Sequence, residues 1–109
     1  MVEDDSMVGE CYARVLRRQG YAVTWASSVP QGREILLRDP PHVLLLDRNV
    51  HNEIGWDLKD EAPSGTGVVL MSGHAPSGSP PYWMKTLSLD TLFDMIESAA
   101  SSASVVDEG

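Results

Sequence analysis

Three carboxylates, a hydroxyl and an ammonium stand just where apolar runs of this chain end. Glu3 and Asp4 follow Met1-Val2, Asp47 closes His42-Val43-Leu44-Leu45-Leu46, Ser72 closes Val68-Val69-Leu70-Met71, and Lys85 follows Tyr82-Trp83-Met84. Carboxylates bind hard cations such as Mg²⁺, and a carboxylate can also act as a nucleophile that forms an acyl phosphate. Charge developing on a transferred phosphoryl group would be met by the cation, a Lys ammonium and a hydroxyl. The set therefore reads as a cation site or a phosphoryl acceptor.

Such residues must be gathered by a fold, and the apolar runs say which. Four consecutive large apolar residues, Val43 to Leu46, flanked by Pro40-Pro41, suit a strand buried on both faces of a parallel sheet. In open α/β sheets, ligands bind outside the carboxyl ends of the strands. The polar loop Arg48 to Gly55 leaves that end. Met1 to Glu3 is a very short first strand. Asp5 or Ser6 caps a helix whose apolar positions are Met7, Cys11 and Val15 with Val8, Tyr12 and Leu16, and Gly20 stops it. Cys11 is expected as a buried small apolar residue on this helix.

Tyr21 to Ala26 is rich in aromatic and β-branched residues and reads as a second strand. Ser28 caps a second helix with Pro30 in its first turn and Ile35, Leu36 and Leu37 on the buried side. A third, weak helix has room only from Trp56 to Ala62. Gly67 to Met71 is a fourth strand and Tyr82 to Met84 a fifth. Ser88 opens a last helix with the stripe Leu89, Leu92, Phe93 and Ile96. Strands alternating with helices predict a mostly parallel sheet covered on both faces. Trp56 and Trp83 are expected to be packing residues.

At 109 residues the chain is read as one domain, residues 1–97, followed by a flexible tail over residues 98–109, rich in Ser, Ala and acids. No apolar run approaches the ~20 residues of a membrane span. A single cysteine fits a reducing, cytoplasmic setting. The net charge of −8 opposes binding to a phosphate backbone, so no nucleic-acid role is expected.

Taken in order, Val2-Glu3-Asp4-Asp5, Leu45-Leu46-Asp47-Arg48-Asn49 with Gly55, Val68-Val69-Leu70-Met71-Ser72-Gly73 and Tyr82-Trp83-Met84-Lys85 resemble the receiver domain of two-component response regulators. The likeness covers nearly all of residues 1–97 and continues into Ser88-Leu89-Asp90-Thr91-Leu92. It implies a flavodoxin-like, doubly wound, five-stranded parallel sheet of order 2-1-3-4-5. By position, Asp47 matches the phospho-acceptor. Asp4 matches a direct Mg²⁺ ligand, Glu3 a ligand through water, and the Asn49 backbone carbonyl a further one. Ser72 matches the hydroxyl, and Lys85 the cation, that meet the phosphoryl group. Tyr82 matches the mobile aromatic switch, and Asn49 and His74 match positions that tune the lifetime of the phosphoryl group. A histidine kinase or histidine phosphotransfer protein is the implied donor. Such a domain is not an enzyme in the usual sense, since it acts only on its own phosphorylation.

The chain departs from that pattern in four ways. Thr86 follows Lys85 where the family has proline, and His51 replaces a loop proline. Strand one begins at Met1. Only nine residues, Gly73 to Pro81, join the fourth and fifth strands, fewer than the about ten to twelve of a helical crossover. The fourth helix is therefore expected to be missing or vestigial, with an irregular loop in its place. Two other classes share parts of this pattern. A haloacid-dehalogenase-like phosphatase needs a second acid two residues after its nucleophile, and that position is Asn49. A pseudo-receiver would keep the fold as a protein-binding module without phosphorylation.

Overall fold

The apolar run ahead of Asp47 becomes the middle of the sheet. A computed structural model describes residues 1–73, 77–85 and 88–108, with side chains as far as Ser101. Its elements are α1 (Ser6–Arg18), α2 (Val29–Arg38), β1 (Val43–Asp47), β2 (Asn49–Val50), β3 (Glu53–Ile54), a 3-10 helix (Gly55–Glu61), β4 (Gly67–Ser72), β5 (Trp83–Met84) and α3 (Leu89–Glu108). β1, β4 and β5 are parallel neighbours in that order, with Asp47 opposite Met71 and Ser72 opposite Met84. Val2 bridges Ala26 on one side and Leu46 on the other, both in parallel. The sheet therefore has the order 2-1-3-4-5 of the flavodoxin-like fold, its first two strands reduced to single bridging residues.

Side-chain alternation along the strands builds a core on each face. Leu44, Leu46 and Leu70 join Val29 and Leu36 of α2 with Trp56 and Leu58 of the 3-10 helix. Leu45, Val69 and Met71 join Ala13 and Leu16 of α1 with Leu92 and Ile96 of α3. This two-sided burial is why β1 and β4 read as unbroken apolar runs. The caps lie where side-chain oxygens allow them. The Asp5 carboxylate accepts from the Met7 and Val8 amides, and Ser28 Oγ accepts from the Gln31 amide.

Several expectations are corrected. Tyr21 to Trp25 form no regular strand; of the expected second strand only Ala26 bridges, in parallel with Val2. The buried stripe of α1 is Gly9, Ala13 and Leu16. A Cβ at Gly9 would lie 2.2 Å from the Trp25 ring, so the close-packed face needs small residues. Met7 (81% exposed) and Cys11 consequently face outward. Three consecutive residues cannot share one helix face: in α2, Gly32 and Leu36 are buried, whereas Leu37 is 81% exposed. The third helix is a 3-10 helix that starts at Gly55. α3 spans Leu89–Glu108, and its Ala99 packs against the core and lies against Gly67.

Between β4 and β5 the described residues 77–82 hold a turn at Ser77-Gly78 and no helix. Gly78 takes φ +85° there, a left-handed conformation that glycine adopts without steric cost. His74, proposed from the resemblance to tune phosphoryl lifetime, and Thr86 lie outside the described residues. Among the described residues no helix is long and apolar enough to cross a membrane.

Candidate functional site

The carboxyl ends of the strands bring Glu3, Asp4, Asp47, Ser72 and Lys85 to one end of the sheet. Glu3 and Asp4 arrive on the stub of strand one, held because the Val2 amide donates to the Leu45 carbonyl at 2.9 Å and the Asp47 amide donates to Val2 at 3.1 Å. The two acid-bearing segments are thus bonded to each other. Glu3, Asp4 and Asp47 place one carboxylate oxygen each within 4.8 Å of the others. Glu3 is 1% exposed and Asp47 6%, so little water screens their repulsion.

Lys85 enters this cluster from the end of β5. Its Nζ lies 2.6 Å from Glu3 Oε2 and 2.9 Å from Asp47 Oδ1. Its backbone amide donates to the Ser72 carbonyl at 2.9 Å, which ties it to the β4 end that carries the hydroxyl. Ser72 itself is buried. With all groups ionised, three carboxylates and one ammonium leave a charge of −2, which suits a divalent cation. Burial raises the Glu3 carboxyl above its ordinary 4.5; the Lys85 hydrogen bond opposes this and Asp47 adds to it. Burial pushes the Lys85 ammonium down, but its bonds to Glu3 and Asp47 outweigh that and hold it above the usual 10.5. An all-oxygen donor set of three acids is the chemistry that Mg²⁺ or Ca²⁺ accepts.

The loop after Asp47 is more ordered than its polarity predicts. Asn49-Val50 and Glu53-Ile54 form a small antiparallel hairpin. Its turn residues His51 and Asn52 both take positive φ, 48° and 64°, as a type I′ turn requires. The His51 amide donates to Asp4 Oδ2 at 3.0 Å, so the hairpin is anchored on the acidic cluster. Gly55 closes it, and its amide donates to the Arg48 carbonyl at 2.7 Å. A Cβ at Gly55 would sit 2.1 Å from the Asp47 carbonyl oxygen, so only glycine fits beneath the acid. Asn49 is exposed, and its side-chain oxygen accepts from Arg48 at 3.4 Å.

Two indoles do more than fill space. Trp56 Nε1 donates to the Leu46 and Met71 carbonyls, each at 3.1 Å, directly beside Asp47 and Ser72. Its ring lies 5.5 Å from Tyr82 and under the Arg48 guanidinium at 5.9 Å. Trp25 Nε1 donates to the Glu3 carbonyl at 2.8 Å. Sequence reasoning treated Trp56 as a packing residue, which it also is, and passed over Trp25. Nothing local in the sequence tells where an indole N–H will end. Trp83 is buried with its ring edge-on to Tyr12.

No family model matches the chain, and no curated protein does. Solved structures do match. A CheY-like response regulator receiver domain protein from Methanospirillum hungatei superposes with a TM-score of 0.84 at 21% identity, over 99% of this chain and 94% of that one. The BeF3-activated N-terminal receiver domain of RstA from Klebsiella pneumoniae gives 0.77 at 22% identity, over 91% and 94%. A Burkholderia pseudomallei response regulator, solved with a phosphorylated aspartic acid, calcium and citrate, gives 0.77 at 19% identity, over 97% and 69%. At these identities the likeness speaks to architecture alone: this chain has the flavodoxin-like, CheY-like fold that those receiver domains share.

Proposed function

We propose that the chain is a phosphoryl-accepting receiver domain of two-component signal transduction, modified on Asp47. The observation that carries this is Lys85 Nζ within 2.9 Å of both Asp47 and Glu3, inside a three-acid cluster. A solvated surface lysine would not hold that place. Asp4 and Asp47 would hold Mg²⁺ directly, Glu3 through water, and the Asn49 backbone carbonyl would complete the protein's share. The bound cation would offset the charge of the incoming phosphoryl group.

The chain's own residues do the rest. An Asp47 carboxylate oxygen forms the new P–O bond as the P–N bond to the donor imidazole breaks. Lys85 gives up part of its pairing with Asp47 and meets the phosphoryl oxygens, and the Ser72 hydroxyl turns toward them. The transition state is stabilised by positioning and charge, so no separate general base is needed. Tyr82, whose ring lies tilted against Trp56, would follow Ser72 and report the change to the surface. The donor would be a histidine kinase or histidine phosphotransfer protein in the cytoplasm, and the domain would act on no other substrate.

The test is transfer from a phosphohistidine donor in Mg²⁺, read by mass spectrometry. One phosphoryl group on Asp47, lost in Asp47→Asn, is the expected result. An unmodified chain would instead mark a pseudo-receiver that binds partners without phosphorylation.

A further inference from the structure

The last rung between the strands that carry Asp47 and Ser72 is closed by a side chain. β1 and β4 stay in register as far as the pair Asp47 and Met71. Beyond it they part: Asn49 pairs with Ile54 in the hairpin, while Ser72 pairs with Met84 of β5. One main-chain bond secures the parting point, from the Arg48 amide to the Met71 carbonyl at 3.0 Å.

Trp56 adds a second hold. Its Nε1 donates to the Leu46 and Met71 carbonyls at 3.1 Å each, so one N–H is shared between two strands. A buried indole has to place its N–H on some acceptor, and one carbonyl would satisfy it. Here the two acceptors are the residues directly before Asp47 and directly before Ser72. Trp56 is buried, so water competes little for these bonds. The ring carries the connection further. The Arg48 guanidinium lies over one part of it at 5.9 Å, which engages the residue after Asp47. Tyr82, which leads into β5 and Lys85, lies 5.5 Å away. The indole is itself placed from beneath the acid, because the preceding Gly55 amide donates to the Arg48 carbonyl at 2.7 Å.

We propose that Trp56 is a positioning residue for phosphoryl transfer: its N–H sets the spacing between the ends of β1 and β4, and so between the Asp47 carboxylate and the Ser72 hydroxyl. The inference rests on the phosphoryl-acceptor reading above. In this role Trp56 touches neither the phosphoryl group nor a cation. A ring without the N–H would fill the same space and leave the two carbonyls free to separate. Transfer is sensitive to small misplacements of the groups around the reacting atoms, whereas docking of the donor on the surface does not use this bond.

The experiment follows transfer from a phosphohistidine donor in Mg²⁺ by rapid quench over a range of donor concentrations, at a temperature where circular dichroism shows every variant folded. Two replacements remove the N–H: Trp56→Phe, and 3-benzothienylalanine at position 56 of the synthetic chain, which keeps the bicyclic shape. Both are expected to lower the maximal rate about tenfold and to leave the half-saturating donor concentration unchanged. 5-Fluorotryptophan at the same position keeps the N–H and should transfer at the parent rate. A benzothienylalanine chain as fast as the parent, a fluorotryptophan chain as slow as the benzothienylalanine one, or a change confined to the half-saturating concentration would each overturn the inference and leave Asp47 as acceptor. A parent chain that takes no label overturns both readings.

Discussion

The two ends of this sheet are built to different standards. At the carboxyl end four of the five strands contribute a polar group, and Lys85, Trp56 and the His51 turn cross-link them. At the amino end the central strand is represented by the bridges of Val2 to Ala26 and Leu46, and Tyr21 to Trp25 form no regular strand. Three bonds to Thr24 and Ala26 on one side, one of them from the Glu3 amide, and two to Leu45 and Asp47 on the other are enough to seat Glu3 and Asp4. A site at strand termini needs the last residues of each strand held in register; the rest of the strand contributes stability. The contrast predicts that changes at one end should alter chemistry with little effect on the other.

The sharpest break of that comparison is Lys85→Ala. Removing a fixed cation aimed at developing charge should slow phosphoryl transfer to Asp47 about 100-fold, read by rapid-quench labelling. Amide exchange at Thr24 and Leu45 should stay as in the parent chain. Next is Gly55→Ala, where a Cβ would meet the Asp47 carbonyl oxygen at 2.1 Å. Forcing that contact should cost about 3 kcal/mol, measured by urea unfolding, and should weaken Mg²⁺ binding because Asp47 must shift.

Val2 belongs to both ends, since it pairs with Ala26 and Leu46 and is buried in the core. Val2→Ala should cost about 2 kcal/mol in the same assay. The smallest effect concerns pH. Glu3 holds its proton above the ordinary 4.5 because it is buried, so between 4.5 and its folded value the native state binds the extra proton. The contribution of Glu3 to stability therefore falls as pH rises through that value. Cation binding needs the ionised acid, so the rise in Tm caused by Mg²⁺ should be smaller at pH 5 than at pH 7.

What could be read from the sequence follows the range of the forces involved. Asp47, Ser72 and Lys85 were legible because each closes an apolar run, and two-sided burial places the end of such a run at the rim of a sheet. The caps at Asp5 and Ser28 were legible because capping is settled within three residues. The β2–β3 hairpin was not, since its turn is His51-Asn52 and lacks the glycine that normally marks positive φ. The outward faces of Met7 and Leu37 were missed because the buried positions are the small residues Gly9, Ala13 and Gly32, chosen by close approach to Trp25 and Val2. Tyr21 to Ala26 has strand composition yet forms no regular strand, because pairing depends on a neighbour far away in sequence. The reach of Trp25 and Trp56 to backbone carbonyls depends on the assembled sheet in the same way.

The central claim is that Asp47 accepts a phosphoryl group at a cation site completed by Glu3 and Asp4. Its most direct test is a thermal-shift titration with Mg²⁺ and beryllofluoride, which mimics the phosphoryl group, on the parent chain and on Asp47→Asn. Any ligand that binds only the native state must raise its Tm. The account predicts a rise with Mg²⁺ alone, a further saturable rise with beryllofluoride, and loss of that second step in Asp47→Asn. A parent chain whose Tm ignores both reagents at millimolar concentration, or a second step that survives in Asp47→Asn, would contradict it.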